Sequence, residues 1–149
     1  MERLTWTDRN FEQMSWHDNY VHALRIREGE YGSGELELDI DYITEWRTGR
    51  DGYEFLIVPA TLIFREVTCL RVSLDYATPA AALGPFSIAS IEREEVSRKR
   101  YVAKVWRIIV NWPNGEIEFE AAGYVQRSAG DPVLSKAQWL TPEQRGDCA

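Results

Sequence analysis

Histidine and cysteine are scarce in this chain of 149 residues, with two of each. Two cysteines make no disulfide framework, and their separation excludes the close spacing of a zinc site. Cys69 lies in the apolar run Val67-Thr68-Cys69-Leu70-Arg71-Val72 and is expected to be a small buried hydrophobe. Cys148 is penultimate and is expected on a mobile tail, so a reduced, cytoplasmic setting fits. Long apolar runs are absent, which argues against a helical membrane span. Met1-Glu2-Arg3-Leu4-Thr5-Trp6 lacks the apolar stretch of a signal peptide. A basic excess is also missing: 24 acids face 17 bases, for a net charge of −7. General nucleic-acid binding is therefore disfavoured. No Gly-x-Ser-x-Gly elbow, phosphate-binding loop or His-Glu-x-x-His pattern occurs. Gly29, Gly32 and Gly34 resemble a turn rather than a dinucleotide fingerprint, because no helical pattern follows them.

What is present describes a folded domain. Hydrophobic residues make up 44% and charged residues 28% of the chain, which excludes wholesale disorder, and the length suits one domain. We expect a single unit over 1–149, with an aromatic lead-in over 1–16, a β core over 17–126 and a tail over 127–149. Thr7 or Asp8 would cap a short helix through Met14, with Phe11 and Met14 on one face. Strand patterns follow. Val21 to Arg27 alternates, and in Glu35 to Tyr42 the side chains of Leu36, Leu38, Ile40 and Tyr42 share one face. Tyr53 to Ile57 alternates until Pro59 interrupts. Thr61 to Phe64 and Cys69 to Leu74 continue, with a bulge at Arg65-Glu66. A loop is expected over 77–84, a strand over 86–91, and a charged, solvated loop from Glu92 to Arg100.

Tyr101 to Trp112 and Glu116 to Ala122 flank Pro113-Asn114-Gly115 and predict a hairpin. Pairing Trp112 with Glu116 would set Ile109 opposite Phe119 on the core face. Trp106 and Trp112 would then lie on the other face beside Glu116, Glu118 and Glu120; a one-residue slip would exchange the faces. Ser135 to Leu140 suggests a short helix. The fold expected is mainly β, an antiparallel sheet that is rolled or two-layered, with short N- and C-terminal helices. Six tryptophans and the apolar strand faces would supply its core.

Three constellations bear on chemistry. His17, Asp18 and His22 carry donors suited to zinc or iron, but two histidines and little helix favour a structural role, with Asp18 or Asn19 turning the chain into the first strand. Glu35, Glu37, Asp39 and Asp41 form a ladder spaced about 7 Å apart along a strand face. Such a line converges poorly on a calcium ion and offers no acid–base asymmetry. It could present an anionic strip to a basic partner, or be answered by Arg25 or Arg27 on a neighbouring strand. Trp112 with Glu116 and Glu118 would suit an interface with a basic protein.

The order of these features carries a resemblance. His17-Asp18 opens a strand containing Val21 and Leu24, and an acidic-apolar strand follows. Leu62-x-Phe64-x-x-Val67 leads to Leu70-x-Val72, and a late hairpin contains Gly115-Glu116-Ile117-Glu118-Phe119. Over roughly residues 15–122 the chain resembles the small immunity proteins of bacterial polymorphic-toxin systems, particularly the immunity protein 50 group. That resemblance implies a non-enzymatic bacterial protein that binds and blocks a toxin, with no cofactor. The expected partner surface comprises Glu35, Glu37, Asp39, Asp41, Trp112, Glu116 and Glu118. Two alternatives remain open at this point: a metal-binding protein or hydrolase using His17, Asp18 and His22 with strand carboxylates, and a structural homo-oligomer.

Overall fold

The computed structural model describes residues 5–77 and 82–146. Part of the loop expected over 77–84, and Cys148, lie outside the described residues. Among those residues nine strands form one antiparallel sheet: β1 (Thr5–Thr7), β2 (Tyr20–Glu28), β3 (Gly34–Gly49), β4 (Gly52–Leu74), β5 (Phe86–Ser97), β6 (Val102–Trp112), β7 (Gly115–Glu120), β8 (Gly123–Ser128) and β9 (Val133–Ser135). Among the described residues, helix is confined to the 3-10 segments Asp8–Gln13 and Glu30–Gly32 and to α1 (Pro142–Arg145). The mainly β, rolled architecture and the short terminal helices follow the sequence pattern.

The sheet rolls because β4 changes partners along its length. One edge of β4 pairs with β3 from Gly52 to Val67. Its other edge pairs in turn with β9, β8 and β7. The strand path β4-β3-β2-β5-β6-β7 thereby returns to β4. Glu66 and Cys69 both take left-handed φ of 55° where the register shifts, so the expected bulge at Arg65-Glu66 becomes the corner of the roll. Pro59 does not break β4. It sits where β9, ending opposite Ile57, hands over to β8, beginning opposite Ala60. Its carbonyl accepts from Ala129 on that same edge, so the missing N–H falls in a gap between partners.

The interior holds Leu36, Leu38, Ile40 and Tyr42 of β3, as their alternation predicts, with Leu62, Phe64, Trp106, Ile108, Ile117 and Phe119. Phe64 packs edge-on against Trp106, Phe119 and Tyr124. Burying each such large side chain contributes about 2 kcal/mol. Thr7 caps the first 3-10 segment, its hydroxyl and the Asn10 amide exchanging bonds with the backbone. Phe11 then meets Trp106 edge-on and Met14 accepts from the Tyr124 hydroxyl. The lead-in is therefore a lid on the core.

Five expectations need correction. The β6–β7 hairpin pairs Val110 with Gly115 and Trp106 with Phe119, not Ile109 with Phe119. This odd slip turns Trp106, Ile108 and Val110 inward with Ile117 and Phe119, and turns Glu116, Glu118 and Glu120 away from them. Gly115 helps fix it, since β4 approaches so closely that a Cβ there would lie 2.0 Å from the Ser73 carbonyl oxygen. The segment from Glu92 is strand through Ser97, because Arg93 reaches inward over the Phe11 ring while Glu94 bonds Arg107 outside. Cys69 is exposed at the β4 corner rather than buried. The tail forms β9 and α1 instead of a helix over 135–140, with Thr141 and Gln144 closing a capping box. Of the tryptophans, Trp16 and Trp106 are core, whereas Trp46, Trp112 and Trp139 are nearly half exposed.

Candidate partner-binding surface

The carboxylates expected to form one anionic strip on β3 meet different fates. Glu37 lies between Arg25 and Arg27 of β2, each nitrogen 3.1 Å from Oε2. Asp39 pairs with Arg25 at 2.7 Å. The neighbouring strand thus answers the ladder, and Glu35 has no ion pair among the described residues.

Asp41 leaves the strip altogether, because it is fully buried. Its Oδ2 accepts from His22 Nε2 at 2.7 Å and from the Leu140 backbone N–H at 2.9 Å, while Oδ1 binds the Arg145 guanidinium. Leu140 inserts beside Ile43, Phe55 and Ile57 in a small second core on the outer side of the β3–β4 pair. Tail residues 133–145 therefore form a strap whose polar clasp is Asp41 and whose apolar clasp is Leu140. Asp41 is structural, which corrects its expected place on a partner surface.

The trio His17, Asp18 and His22 does not assemble a metal site. His22 turns to Asp41. His17 Nδ1 lies 3.1 Å from the Ala89 carbonyl and its ring stacks on Trp46. Among the described residues no three histidine, cysteine or acidic side chains gather as metal ligands. Asp18 takes a left-handed φ of 63° and turns the chain into β2, as one reading of the sequence expects. Its two oxygens accept from the amides of Asn111, at 2.8 Å, and Gln138, at 2.9 Å. Asp18 also raises the Tyr20 phenol pKa, after the larger effect of burial. This one carboxylate joins the lead-in, the end of β6 and the strap.

Carboxylates do converge across β5, β6 and β7. Arg107 contacts Glu94 at 3.0 Å, Glu118 at 3.3 Å and Glu116 at 3.6 Å. These three acids share the one guanidinium, whose pKa they raise, the Glu94 hydrogen bond first. Glu120 is held by Arg98 and Tyr101, each at 3.1 Å. Glu116 and Glu118 thus lie on an acidic face with Arg107, and Trp112 is not beside them. It pairs with Ser87 of β5, half-exposed at the end of the hairpin.

Sequence reasoning missed the exposed aromatics of the β3–β4 hairpin and the strap. Trp46 touches His17, Tyr53 and Phe55, and Trp139 touches Tyr20. The alternation of Trp46 and Thr48 opposite Tyr53 and Phe55 was a usable signal, once the turn at Arg50-Asp51 set the register. No segment pattern could have paired Gln138 with Asp18, because 120 residues separate them. In comparisons with known proteins, the chain matches no family model, no curated protein and no solved structure.

Proposed function

We propose that this chain is a non-enzymatic binding protein that engages a basic protein partner, and that it acts as a bacterial toxin-neutralising immunity protein. The observation carrying this reading is the face around Arg107, where Glu94, Glu116 and Glu118 outnumber Arg107 and the Arg71 opposite Glu118, and leave an excess of negative charge on an exposed sheet surface. Such a face speeds encounter with a basic protein and fixes its orientation. The net charge of −7 acts in the same direction. The resemblance to the immunity protein 50 group supplies the class of partner, a toxin domain, and with it a reduced bacterial cytoplasm as the place of action. The alternative metal reading loses its support because His17 and His22 are engaged separately.

The test is affinity for the cognate toxin domain, measured from about 50 mM to about 300 mM salt. Glu94→Gln, Glu116→Gln and Glu118→Gln together should slow association by about tenfold and flatten the salt dependence. Affinity indifferent to both salt and these three substitutions overturns the reading.

A further inference from the structure

The acidic face does not end at the glutamates. Asn111 lies four residues along β6 from Arg107, about 13 Å at the rise of a strand. Its amide holds Asp18, whose neighbour His17 stacks on Trp46 at 6.1 Å between ring centroids. Trp46 meets Tyr53 edge-on at 6.4 Å, and Tyr53 is 64% exposed. On the other side of Asp18, Gln138 leads to Trp139, whose ring lies 5.0 Å from Tyr20. A charged sheet face therefore runs into a patch where Trp46, Tyr53 and Trp139 all remain substantially open to solvent.

We propose that His17, Trp46 and Tyr53 form the aromatic anchor of the same docking surface, and that its occupant is an arginine-bearing segment of a basic protein. The inference rests on the basic-partner reading above and adds where that partner is gripped. Exposed indole and phenol faces attract a guanidinium through the ring quadrupole, and arginine also stacks flat on them. Charge complementarity selects this occupant over a neutral apolar one. Asp51 and Lys136 line a depression beside Tyr53, and Glu54 stands opposite Arg47 in the β3–β4 register, so the hairpin end itself is close to charge balance and the complementarity comes from the glutamates around Arg107. Glu45 is paired with Arg47 at 3.2 Å, so that pair adds no net charge. Further cations of the segment would meet Glu116, Glu118 and Glu94 beyond Asn111. Clustered aromatic anchors beside a polar rim are the usual form of an interface hot spot.

The experiment titrates the isotope-labelled full chain with a synthetic nona-arginine peptide and follows backbone amides and indole N–H signals by NMR. The Trp46 indole and the Tyr53 amide should shift together with the amides of Glu116 and Glu118, while the buried Trp16 and Trp106 indoles stay still. Tyr53→Ser and Trp46→Leu should each weaken binding about fivefold. Tyr53→Ser changes an exposed side chain, so it remains informative if Trp46→Leu perturbs folding. Saturable shifts confined to β5–β7, with Tyr53→Ser binding like the parent, overturn the anchor and leave the acidic-face reading standing. Shifts at Trp46 that survive the triple glutamine variant and high salt overturn the charge basis of both. Absence of any saturable shift overturns both as well.

Discussion

His22 Nε2 of β2 lies 2.7 Å from Asp41 Oδ2 of β3, and the strap residues Leu140 and Arg145 complete the shell around that buried carboxylate. A residue placed by strand alternation on an open acidic face is instead the fixed point of the C-terminal tail. The acidic surface that remains lies elsewhere, around Arg107. Glu37, Asp39 and Asp41 of β3 are thus tied to neighbouring strands and the tail, whereas Glu94, Glu116 and Glu118 lie on an exposed face.

Asp41→Ala should destabilise the fold by about 3 kcal/mol, because it strands His22 and Arg145 beside an emptied, desolvated position. Urea unfolding at neutral pH measures this. A loss no larger than that of an exposed glutamate such as Glu45 would show that the clasp contributes nothing.

Leu140→Ala should cost about 2–3 kcal/mol, since it empties the centre of the small outer core formed with Ile43, Phe55 and Ile57. The loss should be local before it is global. Hydrogen exchange at β9 and limited proteolysis within residues 133–145 should accelerate while the amides of β3 opposite Leu62 stay protected. Uniform acceleration across the sheet would mean that the strap and the roll unfold as one unit.

The sequence disclosed the fold wherever a face alternates between oil and water. Leu36 to Tyr42 is such a case, and Thr7, one of the two caps the sequence offers, does cap the short first helix. It failed where geometry depends on more than one pair of strands. The β6–β7 register follows from the close approach of β4 to Gly115, a contact between residues about forty positions apart. Glu92 to Arg100 looks like a solvated loop because four of its first residues are charged. Yet strand residues with long polar side chains can fold inward over aromatics, as Arg93 does over Phe11. Of the expected surface residues, Glu116 and Glu118 share one face. Asp41 is buried, and Trp112 stands apart at the hairpin end. The aromatic patch was the least legible part, because the contacts of Asp18 beside it come from two distant segments, at Asn111 and Gln138.

Gly115→Ala should destabilise by at least about 2 kcal/mol, for two reasons that add. The position has a φ of 150°, which strains any side chain, and the new Cβ would collide with the Ser73 backbone. Gly130→Ala is the control, since its φ of 86° carries strain but nothing lies within contact distance. Thermal unfolding should show a clearly larger loss at Gly115 than at Gly130. Equal losses would remove the steric part of the argument and leave only backbone strain.

Alkaline pH should weaken the fold through its buried phenols. Burial pushes the Tyr124 pKa well above the ordinary value of 10.0, and nearby Tyr42 and Asp8 add to it. Burial also raises Tyr42, against a smaller opposing effect from a backbone hydrogen bond at Ser15. The folded state therefore favours neutral phenols. A folded pKa raised above the unfolded one gives stability that is complete below pH 10 and is lost as pH rises through the folded value. Unfolding free energy from urea titrations should thus hold steady from about pH 7 to about pH 9 and decline above about pH 10. Tyr124→Phe removes the group that must ionise while leaving the ring packed between Phe64, Trp106 and Trp16. It gives up only a hydroxyl bond to the Met14 sulfur, a weak acceptor, so its cost at neutral pH should be about 1 kcal/mol or less. The variant should then lose less stability than the parent between pH 9 and pH 11. Parallel decline of the two proteins would assign the alkaline loss to other groups and refute the role of the Tyr124 phenol.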